Sequence, residues 1–163
     1  MFFLIGLLVQ FNFGMDFFVF VGYIPMGLFE KSEENKRIAM KCLDMKAFNA
    51  GISRAYYATF QRVEYILKNN SIFNYGAFLI ENQINGDHIP HGKMQQAMVQ
   101  FILESNEKVN LGDANVYDNL YRKRRLADYA DQMFNEQDLK QSINDMETIL
   151  RIIVQGDKHG FEQ

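Results

Sequence analysis

The chain of 163 residues has one cysteine, two prolines and no tryptophan. A single thiol, Cys42, excludes an intramolecular disulfide and any CxxC metal or redox pair, and it suits a reducing compartment; a cytoplasmic location is the expectation. The scarcity of proline argues against a loop-built scaffold. The net charge of −3, from 17 Lys+Arg against 20 Asp+Glu, excludes a broad electrostatic grip on nucleic acid, which needs clustered cations. Lys and Arg are absent before Lys31, so the basic start of a secretory leader is missing. What is abundant is apolar mass. With 48% hydrophobic and 14% aromatic residues the chain can bury a core, and its length suits one domain.

Charge divides the chain into two parts, an apolar extension over 1–29 and a body over 30–163. Residues 1–29 carry one charged side chain, Asp16, between the runs Phe2–Val9 and Phe17–Ile24. Asp16 near the middle of a spanning helix would cost about 3 kcal/mol. The halves around Asn12–Asp16 also suit a short β-hairpin. A helix, a cover for the body or a dimer, a membrane contact, and a non-native start upstream of Met15 or Met26 all stay open.

From Ser32 the pattern is helical, with no alternating strand after residue 30. Ser32 before Glu33-Glu34 reads as an N-cap. The spacing predicts helices over about 32–46, 48–69, 92–106 and 113–134, and a last one after Asn135. In the second, Ile52, Ala55, Thr59, Phe60, Val63, Ile66 and Leu67 share a face. In the third, Met94, Ala97, Met98, Phe101 and Ile102 point inward. Asp113 reads as the cap of the next helix. Leu139, Ile143, Met146, Leu150 and Ile153 form an a/d seam in the last. Residues 70–91, with Gly76, Gly86 and Pro90, read as a long connection. The expectation is an all-α, up-and-down bundle of about five helices.

Few residues form a reactive constellation. Gly86–Met94 has five residues between its glycines and Met94 where a phosphate loop needs Ser or Thr. Asp87, His88 and His91 lack a fourth ligand, and Pro90 separates the histidines, so no metal and no cofactor are expected; His91 reads as the cap of the helix that follows. Cys42 has no base beside it and reads as a packed thiol. Two clusters are more specific. Ser53-Arg54-Ala55-Tyr56-Tyr57-Ala58 combines small residues, which let a helix approach, with aromatic hydroxyls that need partners. Tyr121-Arg122-Lys123-Arg124-Arg125-Leu126-Ala127-Asp128-Tyr129 holds the main basic concentration, with Arg124/Asp128 and Arg125/Tyr129 as i,i+4 couples.

These two clusters, in this order and about 70 residues apart, resemble the HEPN superfamily (higher eukaryotes and prokaryotes nucleotide-binding domain). Its small bacterial and archaeal branch shows an "SRAYYA" helix, a His-Gly start to the next helix and an "RxxADY" signature. Here these are Ser53–Ala58, His91-Gly92 and Arg124–Tyr129. The resemblance covers about residues 32–154. It implies a helical bundle that forms a homodimer, often beside a minimal nucleotidyltransferase partner in toxin–antitoxin or defence systems. Arg54, Tyr57, Arg124, Asp128 and Tyr129 would then line or brace a shared groove for a nucleotide-like ligand, RNA or that partner.

The catalytic members are metal-independent ribonucleases with an Arg, four to six residues, and a His. No Arg here has a His at that spacing, and Tyr129 fills the slot after Arg124. A phenol, with an ordinary pKa of about 10, is a poor base at neutral pH. The resemblance therefore implies a non-catalytic or divergent module. The alternative is a ribonuclease that pairs Arg124 with Tyr129 or His91.

Overall fold

The computed structural model describes residues 27–105 and 111–158, with the helical backbone alone at 111–114 and 157–158. The described residues are all-helical: α1 (Leu28–Asp44), α2 (Phe48–Asn69), α3 (Tyr75–Glu81), α4 (Met94–Glu104), α5 (Leu111–Tyr129) and α6 (Glu136–Lys158). The expected all-α bundle is present. α2 is its axis and packs against α1, α4, α5 and α6. The expected inward residues of α2 and α4 are buried, except Phe60, which is half-buried at a groove described below. No helix among the described residues is long and apolar enough to cross a membrane.

The apolar extension lies outside the described residues, apart from Gly27, Leu28 and Phe29, the last two of which already belong to α1. Ser32 is therefore not a cap. It is fully buried one turn inside α1, and its Oγ donates to the Ala58 carbonyl of α2 at 2.7 Å. A small hydroxyl at this position satisfies itself across the interface while Ala39, Ala55 and Ala58 let the two helices approach. Gly51 marks the tightest point of the bundle. A Cβ there would sit 2.6 Å from Leu139 Cδ2 and 2.9 Å from Cys42 Cβ, so α1, α2 and α6 converge on its bare backbone.

Other boundaries also differ from expectation. The segment 70–91 contains the extra helix α3, capped by Asn74, whose side chain accepts from Ala77 N at 2.9 Å. Its single buried anchor, Phe78, leaves no periodic signal to read. α5 begins at Leu111, so Asp113 is helical rather than a cap, and Asn110 lies outside the described residues. α5 stops at Tyr129, five residues before the expected end, because Asn49 of α2 captures the turn: its Nδ2 donates to the Gln132 carbonyl at 2.8 Å and its Oδ1 accepts from Phe134 N at 3.0 Å. Asn135 does cap α6, in a reciprocal pair with Asp138. The buried stripe of α6 is wider than a narrow seam, since Ile149 and Ile152 join it and Leu150 is only half-buried. The thiol of Cys42 is buried, and its pKa is raised by that burial against the opposing field of Arg54.

Candidate functional site

The two sequence clusters meet where α2 crosses α5. Helical geometry turns successive side chains by about 100°, so the four cations at 122–125 do not form one patch. Arg122 reaches back to Asn119 Oδ1 at 3.3 Å, and the guanidinium of Arg125 lies 6.0 Å from the Tyr121 ring. Arg124 alone turns inward, with 8% of its surface exposed. Its Nη2 donates to the hydroxyl of Tyr57 on α2 and, at 3.2 Å, to the hydroxyl of Tyr129. Its Nε lies 2.8 Å from Oδ2 of Asp128 but off the axis of a hydrogen bond. The rings of Tyr57 and Tyr129 flank the cation, 5.0 and 5.1 Å from Cζ. Asp128 is held in turn by Ser53 Oγ, which donates to Oδ1.

Burial alone would lower the pKa of Arg124, but Tyr57, Asp128 and Tyr129 outweigh it and raise it. The guanidinium is therefore a permanent cation in a preset orientation. Among the described residues, Nη1 makes no hydrogen bond.

Four of the five expected site residues thus converge: Tyr57, Arg124, Asp128 and Tyr129. Arg54 does not join them. It points to α1, where its Nη1 donates to Asn35 Oδ1 at 3.1 Å. Tyr129 pairs with Arg124 rather than with Arg125, as the i,i+4 spacing had suggested.

His91 is not a helix cap either, since α4 starts at Met94. Its ring lies among aromatic neighbours, 4.2 Å from Phe60, 5.6 Å from Tyr56 and 6.0 Å from Tyr57 between centroids. Its Nδ1 is 2.7 Å from the Tyr56 hydroxyl, which is 3.2 Å from that of Tyr117. Both tyrosines are buried, and burial pushes both phenols above their ordinary range. The pKa of His91 is lowered, first by burial and then by Arg124, with Glu64 opposing. The imidazole is thus neutral at physiological pH, with no described residue bonded to Nε2.

Glu64 was not legible as a site residue. Its side chain is 2% exposed, and its partners all approach one oxygen, Oε1: His88 Nδ1 at 2.7 Å, the donating Tyr75 hydroxyl at 3.0 Å and Lys68 Nζ at 3.4 Å. Tyr75 also accepts from Ile89 N at 3.0 Å, tying the loop before α4 to the carboxylate. Burial, followed by the field of Glu64, raises the pKa of that phenol. His88 is also 3.3 Å from Asp87, yet among the described residues no group of three acidic, His or Cys side chains is arranged to hold a metal ion.

Between these two charged clusters lies an open groove of about 370 Å³, floored by α2 and walled by the start of α1 and the loop at 88–91. Tyr57, Phe60, Gln61, Glu64, His88 and His91 line it, with Lys31 at the α1 side. Such a volume is at the small end of ligand pockets. Tyr57 belongs to both sites: its hydroxyl accepts from Arg124 and it also lines the groove. No protein-family model matches the chain, and no curated protein matches it.

Proposed function

We propose that this chain is a HEPN-type helical module, non-catalytic or divergent, that forms a homodimer and binds a nucleotide-like ligand through Arg124. The observation that carries the reading is the state of that side chain. Arg124 is buried, permanently charged and clamped on three sides, while Nη1 is left without a bond among the described residues. A preset guanidinium with a spare donor suits a phosphate oxygen, because the fork need not be ordered on binding. Tyr57, Tyr129 and Asp128 orient it, and Ser53 orients Asp128. The order of the two sequence motifs and the all-helical architecture support the HEPN assignment. A minimal nucleotidyltransferase partner in a toxin–antitoxin or defence setting, and a cytoplasmic location, belong to the same reading.

The test compares wild type, Arg124→Ala and Arg124→Lys in calorimetric titrations with a nucleoside monophosphate, alongside circular dichroism. Loss of binding in the folded Ala variant, with partial retention in Lys, is the expected result. Equal binding by all three proteins, or binding lost only because the Ala variant unfolds, would reduce the motif to a structural clamp.

One observation favours the ribonuclease alternative with His91, not Tyr129, as the partner of Arg124. His91 is neutral, has Nε2 without a bond among the described residues, and packs on the same Tyr57 that holds Arg124. A neutral imidazole can take the proton from a ribose 2′-hydroxyl as it attacks phosphorus and the 5′-oxygen departs. Sequencing of RNA 5′ ends in cells expressing wild type, Arg124→Ala and His91→Gln decides this. New discrete ends lost in both variants would establish cleavage, and unchanged RNA in all three would dismiss it.

A further inference from the structure

The groove beside Arg124 has a polarity that the phosphate-binding reading does not use. Three rings line it, Tyr57 and Phe60 from the α2 floor and His91 from the loop wall, and an aromatic ligand can pack among them. Besides the imidazoles of His88 and His91, the groove's polar groups are one acceptor and two donors. Glu64 is the acceptor. All three of its partners crowd Oε1, and Oε2 bonds to no described residue. A carboxylate oxygen has two acceptor positions, so both on Oε2 are open. Gln61 is a donor by orientation: its Oε1 accepts from Asn35 at 2.9 Å, which leaves the NH₂ end for the groove. Lys31, exposed at the α1 wall, is the second donor.

With Glu64, Gln61 and Lys31 so placed, the groove suits a planar occupant that presents two adjacent donors next to an acceptor. Among the nucleobases, the pairing edge of guanine alone does so, with N1–H and the 2-amino group beside O6. Adenine and cytosine each set one donor beside an acceptor, and uracil sets one donor between two acceptors. A cationic ligand fits less well, because Lys68 and His88 already face the carboxylate and Lys31 stands at the wall.

We propose that this groove is a guanine pocket: the base packs among the rings of Tyr57, Phe60 and His91, donates from N1 and the 2-amino group to Glu64, and accepts at O6 from Gln61 or Lys31. The proposal rests on the nucleotide-binding reading only for the phosphate, which extends past Tyr57 toward Arg124.

The test titrates the full chain and its Arg124→Ala variant with GMP, IMP and AMP by calorimetry. IMP lacks only the 2-amino group, so comparing it with GMP probes Glu64 without touching the fold. GMP should bind wild type on the order of tenfold tighter than IMP, and AMP should bind weakest. Glu64→Gln should erase the preference for GMP over IMP, and the exposed Lys31→Ala should weaken GMP and IMP together. If Glu64→Gln does not fold, the GMP/IMP ratio on wild type decides alone.

The arms separate the two claims. A GMP preference that persists in Arg124→Ala at uniformly lower affinity supports both. Persistence with no drop in affinity leaves the pocket and removes the phosphate role of Arg124. Three nucleotides bound equally, but lost in Arg124→Ala, overturn the pocket and keep the phosphate site. No binding by wild type at millimolar nucleotide overturns both.

Discussion

Arg124 and Glu64 are both buried charges on long helices, yet the fold holds them in opposite ways. Arg124 takes two partners from its own helix, Asp128 and Tyr129, and one from α2, Tyr57. Its clamps fall on Nη2 and Nε and leave Nη1 open among the described residues. Glu64 takes one partner from its own helix, Lys68, and two from segments that α2 only meets in the fold, Tyr75 at the start of α3 and His88 in the loop before α4. Those partners converge on one oxygen. The first arrangement orients a side chain; the second ties three segments of chain to one atom. The difference teaches which charge the architecture depends on. Removing Arg124 frees Asp128, still held by Ser53, and two tyrosine hydroxyls, whereas removing Glu64 unties α3 and the loop at 88–91 from the bundle axis.

The largest effect should therefore come from Glu64→Leu. The Tyr75 hydroxyl would lose its acceptor, and the tie to Ile89 N would weaken with it. His88 and Lys68 are partly solvated and can return to water, which limits the loss. A decrease of about 2–3 kcal/mol is expected in urea unfolding, with the slope against denaturant unchanged. A loss under about 0.5 kcal/mol would mean that the carboxylate is not the tie described, and would erase the contrast with Arg124.

Asp128→Asn is the matching change at the other cluster. The amide keeps the shape and one acceptor, Ser53 can still hold the side chain at 128, and the tyrosines still support the guanidinium. A loss of about 1 kcal/mol is expected from the weakened ion pair of two partly buried groups. If Asp128→Asn proved costlier than Glu64→Leu, the two clusters would exchange roles.

The same contrast explains what the sequence disclosed. Arg124 and Asp128 stand four apart in a helical stretch, so their pairing is a local matter that spacing reveals. The burial of Ile52, Ala55, Val63 and Leu67 follows equally from one period. Glu64 belongs to neither sequence motif, and a charged residue beside Val63 carries no local sign that it is buried. What buries it is chain 11 and 24 residues away, folded back through an unsignalled short helix. Ser32 misled for a related reason. Its local signal, a hydroxyl before two acidic residues, matches a cap, but the neighbouring α2 backbone offers it a carbonyl in the interior. Arg54 looked like a partner for the second cluster because of its place in a motif, and one helical step turned it to α1.

The smallest expected effect is the most discriminating, because one residue reports on both charges at once. His91 lies between the clusters; burial and Arg124 lower its pKa from the ordinary 6.5, and Glu64 works against them. Removing each charge should therefore move the imidazole in opposite directions. Arg124→Met should raise its pKa and Glu64→Gln should lower it, read from the ring proton shifts in an NMR titration. Shifts of one sign in both variants would mean that repacking, not charge, sets the value. The linkage to stability has a fixed sign. A base with a lowered pKa in the fold is protonated more readily when unfolded, so its contribution is intact above about pH 6.5 and is lost as the pH falls toward and through the folded value. His91→Gln should flatten the part of the acid-side decline that begins near pH 6.5. Arg124→Met should shift that decline toward the unfolded pKa and make it shallower, because it narrows the gap between folded and unfolded His91. Glu64→Gln should widen that gap and steepen the decline, so the two buried charges are told apart by the pH dependence of a third residue that each of them reaches.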